Sequence, residues 1–199
     1  GKTTFLKYIA MQCSSGELQA HLVPIFISLK SFAEMPEQPS LFEYITEQFY
    51  PYGFTDSKAI QQLLNQGRML ILLDGLDEVK ETDSQRVLKS VISFCHQFIA
   101  NQFLITCRIA AKEYTFENFT EVEIADFNEC DIASFATKWF AIKEPIKSKR
   151  LLEEIKANKA IRELATNPLM LTFLCLVFEE SAEFPANQAA LYKEGLDIL

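Results

Sequence analysis

The chain predicts an α/β fold: a parallel sheet flanked by helices, followed by a small helical domain. Three observations carry this. Apolar runs at residues 22–29, 69–73 and 103–107 have the composition of buried strands, the second of the kind buried on both faces in parallel sheets. Helical patterns lie between them, and such alternation argues for a parallel sheet with covering helices. From Glu129 onward the strand signals stop and apolar residues recur only at helical spacing.

Taken in order, residues 3–11 read as a helix with Phe5, Leu6, Ile9 and Ala10 on one stripe. The run 22–29 is a strand whose Pro24 weakens only its first residues. Pro36 and Pro39 mark a loop. Ser40 and Glu43 then form a capping box, in which hydroxyl and carboxylate satisfy exposed amides reciprocally. Residues 56–66 are a short helix stopped at Gly67. After the strand at 69–73, Thr82 and Gln85 predict a second capping box. The helix behind it carries Val87, Leu88, Val91, Ile92, Cys95, Phe98 and Ile99. Residues 119–124 read as an edge strand. Helices follow around Ile132 to Phe140 and around Leu151 to Ile155, then at residues 161–165, 169–178 and 187–199. The expected domains are 1–127 and 128–199.

The formal net charge is −8. That is no footprint for nucleic acid, and no nucleic-acid partner is expected. The five cysteines are widely spaced with no CxxC, against a disulfide framework or a zinc site, and a reducing, cytoplasmic compartment fits best. Cys95, Cys107 and Cys175 read as buried small hydrophobes. The longest apolar run, residues 169–178, is far short of a membrane span, so no membrane partner is expected. His21 and His96 lie in no catalytic motif, and Trp139 and Phe140 read as packing.

Chemistry concentrates in three places. Gly1-Lys2-Thr3-Thr4 matches the back half of G-x-x-x-x-G-K-S/T. In that loop backbone amides cradle phosphates, the Lys reaches the β- and γ-phosphates, and the following hydroxyl holds Mg²⁺. A helix starting there turns its positive end to the anion. Four residues alone are a weak signal. The second place strengthens it: the strand 69–73 runs straight into Asp74-Gly75-Leu76-Asp77-Glu78. An apolar strand ending in Asp is how a P-loop NTPase delivers a carboxylate to magnesium, at the sheet edge where ligands bind. Asp77 or Glu78 would orient or deprotonate the attacking water. The third place is Arg108, directly after the strand 103–107, where a guanidinium can meet the γ-phosphate.

The segment from Leu70 to Val79 resembles the extended Walker B motif of NACHT domains, which belong to the signal-transducing ATPases with numerous domains. Leu104 to Arg108 resembles that family's sensor 1 segment, and Asp126 to Phe140 its helix after the sheet. Asn167-Pro168-Leu169-Met170-Leu171 resembles the helical-domain motif whose proline lies against adenine. The tail Leu191-Tyr192-Lys193-Glu194-Gly195 looks like bacterial members just before their winged helix. The resemblance implies ATP/ADP and Mg²⁺ as ligands. Gly1, Lys2, Thr3 and Thr4 would bind phosphate, Thr3 and Asp74 the metal, and Pro168 would line the adenine pocket. Asp77, Glu78 and Arg108 would be catalytic. Gly75 stands where AAA+ ATPases place their catalytic Glu, which leaves Asp77 or Glu78 as the base, with Asp77 slightly preferred.

The implied function is an ADP/ATP switch, hydrolysing ATP and controlling self-oligomerisation of a larger signalling or defence protein. The alternative is a nucleotide-locked scaffold that never hydrolyses. A GTPase would need N-K-x-D, and Asn158-Lys159-Ala160-Ile161 lacks the Asp; an ABC-type signature is absent. The resemblance also implies a strand before Gly1 and a winged helix after Leu199. The 199 residues alone are therefore expected to bind nucleotide poorly and to aggregate. Gel filtration with ATP titration checks this; a soluble monomer with micromolar affinity contradicts it.

Overall fold

A computed structural model describes residues 1–54, 56–108, 119–142, 144–181, 183–185, 190–193 and 197. They form two compact units, Gly1–Phe119 and Thr120–Leu199.

The first unit holds three parallel strands, β1 (Val23–Ser28), β2 (Met69–Asp74) and β3 (Gln102–Ile105), in that spatial order. These are the three apolar runs. β1 and β2 pair from Val23↔Met69 to Ser28↔Asp74, and β2 and β3 from Leu70↔Gln102 to Leu73↔Ile105. All six residues of central β2 are buried. The two-residue period of a strand sorts its side chains between two cores. Leu70 and Leu72 meet helix α1 (Lys2–Ser14) through Leu6, Ile9 and Cys13. Met69, Ile71 and Leu73 enter the larger core, which also draws on α2 (Leu29–Ala33), α3 (Leu41–Phe49), α4 (Ser57–Asn65) and α5 (Glu81–Gln97). Burying each such Leu or Ile contributes about 1.5–3 kcal/mol.

The buried stripe of α1 is Leu6, Ile9 and Cys13, and Phe5, expected inside, is 48% exposed. The Ser40 capping box forms: Glu43 N donates to Ser40 Oγ at 3.2 Å and Ser40 N to Glu43 Oε2 at 2.7 Å. That backbone bond holds the Glu43 carboxyl below its usual range. The expected box at Thr82 does not form, because α5 already begins at Glu81 and Thr82 lies inside it. Its first turn is anchored instead by Arg86, which donates to Asp83 Oδ1 and to the Ala33 carbonyl at 2.9 and 2.8 Å. The short helix α2, capped by Ser28, carries no strong signal in the sequence.

A buried amide ties the lower end of the sheet together. Asn101 accepts from Met69 N at 3.1 Å and donates to the Leu64 and Phe98 carbonyls at 2.7 and 2.8 Å. One side chain thus joins the end of α4, the end of α5 and the start of β2. Beside it, α4 ends at Gly67 as expected: Arg68 N donates to Leu63 O and Gly67 N to Leu64 O, with Gly67 left-handed at φ +66. A Cβ there would meet the Ala100 carbonyl oxygen at 2.6 Å.

The second unit packs α6 (Glu129–Phe140), α7 (Pro145–Ala157), α8 (Lys159–Ala165) and α9 (Pro168–Ser181) around Ala136, Phe140, Leu151, Leu171, Leu174 and Phe178. Asn128 caps α6, Asn158 caps α8, and Asn167 Oδ1 accepts from Leu169 N and Met170 N at the head of α9. Trp139 stacks on Phe135 and donates to Glu179, a packing role. Residues 119–124 are not a strand, and Val122 and Ile124 are exposed. Alternating apolar and polar residues read the same on an edge strand and on an extended surface segment, because the pattern does not record a ladder partner. Glu194, Gly195 and most of the helix expected over 187–199 lie outside the described residues. Burial pushes the Cys95 and Cys175 thiols up to about 12, as expected of buried small hydrophobes, whereas Cys107 is only partly buried.

Replacing Asn101 by Ala strands two carbonyls and one amide. It is expected to lower unfolding stability by about 3 kcal/mol or more. The chemical denaturation midpoint reads this; an unchanged midpoint contradicts the role given to Asn101.

Candidate functional site

The carboxyl ends of the three strands form one edge. β1 ends at Ser28 opposite Asp74, the last residue of β2. On the other side Leu73 pairs with Ile105, which sets Thr106 level with Asp74. Two more backbone bonds continue this contact past the strands: Thr106 N donates to Leu73 O at 2.9 Å and Leu76 N to Thr106 O at 3.0 Å.

The chain turns sharply after Asp74. Gly75 is left-handed (φ 76, ψ 49), which an L side chain rarely adopts. A Cβ there would also crowd Glu78, at 3.1 Å from Cδ and 3.3 Å from Oε2. The turn sends Leu76 into the core and displays Asp77 and Glu78 on a single 3₁₀ turn, Leu76–Glu78.

Two carboxylates on this edge are engaged differently. Asp74 is 8% exposed, and its Oδ1 accepts from Thr106 Oγ1 at 2.6 Å. Gly75 N donates to the same hydroxyl at 2.9 Å. Among the described residues no solvent-inaccessible side-chain N or O atom lacks a partner, so the second oxygen of Asp74 reaches solvent. Asp77 has both oxygens occupied by one residue. Oδ1 accepts from Arg108 N at 3.0 Å, and Oδ2 lies 3.0 Å from Arg108 Nε. The Asp77 side chain is 11% exposed and that of Arg108 73%, so the guanidinium still faces water. Glu78 is exposed and forms no side-chain hydrogen bond among the described residues.

The residues singled out at the amino end of α1 belong to the same unit. Lys2, Thr3 and Thr4 form its first turn, and its buried stripe seats it on the β2 face that carries Leu70 and Leu72. The thiol of Cys107 reports their neighbourhood. Burial raises its pKa most, the Asp77 charge adds to that, and the Lys2 charge opposes it. Lys2 and Asp77 therefore each lie within electrostatic reach of Cys107. Pro168 sits exposed at the start of α9 in the helical unit.

The donor set suits magnesium. Among the described residues no three His, Cys, Asp or Glu side chains converge, so an all-protein cage is not on offer. Asp74 instead presents one free carboxylate oxygen, the single-carboxylate arrangement that Mg²⁺ completes with water and phosphate oxygens. Thr106 is the site residue that the sequence reading passed over. Its signal was a hydroxyl at the end of an otherwise apolar strand, at the register of Asp74. A separate cleft of about 450 Å³, lined by Lys30, Glu34, Met35, Lys80 and Asp83 among others, contains none of the candidate catalytic, nucleotide or metal residues. No helix among the described residues is long and apolar enough to cross a membrane.

The family model for the NACHT domain matches residues 1–143. Two curated relatives are named NLR family CARD domain-containing protein 4. The one from Bos taurus is 27% identical over 211 aligned positions, covering 100% of this chain and 19% of that protein. The one from Mus musculus is 26% identical over 206 positions, with the same coverage. The chain thus spans about a fifth of the length of the relatives it matches. With a matched region that covers well over half of its residues and the whole sheet, the chain belongs to the NACHT domain family of P-loop NTPases.

Proposed function

We propose that this chain is the ATP/ADP switch module of a larger, cytoplasmic signalling or defence protein, in which nucleotide exchange controls self-oligomerisation. The observation that carries the reading is the state of Asp74. It is a buried carboxylate at a strand's carboxyl end, pinned through one oxygen and open to solvent through the other. In this reading Gly1, Lys2, Thr3 and Thr4 bind the phosphates, Thr3 and Asp74 hold Mg²⁺, and Pro168 lies against the adenine. Residues 1–127 are the nucleotide core and 128–199 the helical domain. Bound Mg²⁺ would neutralise charge on the β- and γ-phosphates.

Arg108 and Asp77 act as a pair. In their present arrangement Asp77 holds the guanidinium at the edge without removing it from water. Because the guanidinium stays in water, its attraction to Asp77 is screened, so a γ-phosphate can compete for Arg108. Losing Arg108 to phosphate would free Oδ2 of Asp77. Glu78 is free already, which favours it as the base and Asp77 as the holder of Arg108. Both oxygens of Asp77 being occupied also lends support to the second reading, a nucleotide-locked scaffold without hydrolysis.

Three substitutions in the full-length protein separate these readings. Glu78→Gln should slow phosphate release about a hundredfold or more while ATP still binds. The same loss in Asp77→Asn with Glu78→Gln active would make Asp77 the base, and no phosphate release from any version would favour the scaffold. Arg108→Ala should lower the preference for ATP over ADP by about tenfold. An unchanged ATP-to-ADP ratio would remove Arg108 from γ-phosphate sensing. Competition binding with the two nucleotides measures it.

A further inference from the structure

Thr106 occupies a position that the sheet does not need it for. Its backbone already extends the ladder, with N to Leu73 O and O from Leu76 N. A valine would fill the same space in an apolar strand. The hydroxyl nevertheless sits buried with its hydrogen-bonding capacity directed at two consecutive residues, Asp74 and Gly75. The direction of these bonds follows from chemistry. Gly75 N–H can only donate, so it takes a lone pair of Oγ1, and the hydroxyl proton goes to Asp74 Oδ1. At 2.6 Å this is the length of a charge-assisted O–H···O⁻ bond.

We propose that Thr106 is a positioning residue for the metal-binding carboxylate, holding Oδ1 of Asp74 so that Oδ2 is presented to the Mg²⁺–nucleotide. The inference rests on the nucleotide-switch reading above. The terminal torsion of an Asp side chain is broad and roughly two-fold, so an unpinned carboxylate exchanges its oxygens and samples many orientations. Thr106 removes that freedom. The flanking strand offers no substitute: Ser28, the partner of Asp74 on β1, accepts from Ser31 N and Ser31 Oγ and makes no hydrogen bond to Asp74 among the described residues. Thr106 itself is held on both sides by the two backbone bonds to Leu73 and Leu76, so its hydroxyl is a fixed reference point. Residues of this kind tune metal affinity without touching the metal.

The test is the Mg²⁺ dependence of ATP binding by the full-length protein. Thr106→Val should raise the Mg²⁺ concentration needed for half-maximal tightening by about tenfold or more. Its affinity for ADP in excess EDTA should stay within about twofold of wild type, and Thr106→Ser should restore the Mg²⁺ midpoint. In an Asp74→Asn background, Thr106→Val should add no further shift. Should Thr106→Val fail to fold, Thr106→Cys, a weaker donor of similar shape, must move the midpoint in the same direction. Equal losses with and without metal, or an unmoved midpoint, would overturn the role of Thr106. A wild-type protein whose nucleotide binding ignores Mg²⁺ would overturn the switch reading itself, and this inference with it.

Discussion

The structure depends on the burial of β2 on both faces. Six consecutive residues, Met69–Asp74, lie inside, five of them apolar and the last a carboxylic acid. The apolar five recruit α1 on one side and the larger helical layer on the other, which decides the architecture of the unit. The sixth must be satisfied where it stands, because an ionised carboxylate taken from water without partners is strongly disfavoured. Thr106 supplies the partner for one oxygen, and the open sheet edge leaves the other in contact with solvent. The same strand that builds the core therefore delivers a charge to the edge where ligands bind in parallel sheets.

The two carboxylate contacts on that edge differ in kind. Asp74 and Thr106 are both buried, and their bond is short and supported by the backbone around it. It has the character of a fixed part. Asp77 and Arg108 meet with the guanidinium largely in water, where ion pairs are weak and exchangeable. In the switch proposed above, the first would serve as a rigid metal seat and the second as a charge that changes partner. Gly75 makes them neighbours, since its left-handed turn reverses the chain within three residues and brings Asp77 back beside Arg108.

Much of this was legible in the sequence, for identifiable reasons. β2, buried on both faces, leaves an uninterrupted apolar run, and the partly buried β1 and β3 also carry apolar runs, so all three could be read directly. The positions of Asp74 and Arg108 at the carboxyl edge were legible because each follows such a run. The Ser40 box was readable because its two side chains act within four residues. The same pattern misled at Thr82, where the anchoring partner of α5 is the Ala33 carbonyl, far away in sequence. Phe5 misled because helical spacing gives a stripe but not its centre. Residues 119–124 misled because alternation does not report pairing. The pairings of Thr106 with Asp74 and of Arg108 with Asp77 were invisible for a common reason. Each joins residues about thirty positions apart, and only the β2–β3 register makes them neighbours.

The most direct measurement is a structure of the full-length protein with ADP and Mg²⁺ bound. The metal is expected on the second oxygen of Asp74, directly or through one water, with Thr106 still on the first and Lys2 on the phosphates. Nucleotide seated in the cleft by Lys30 and Lys80, or a metal held without Asp74, would contradict it.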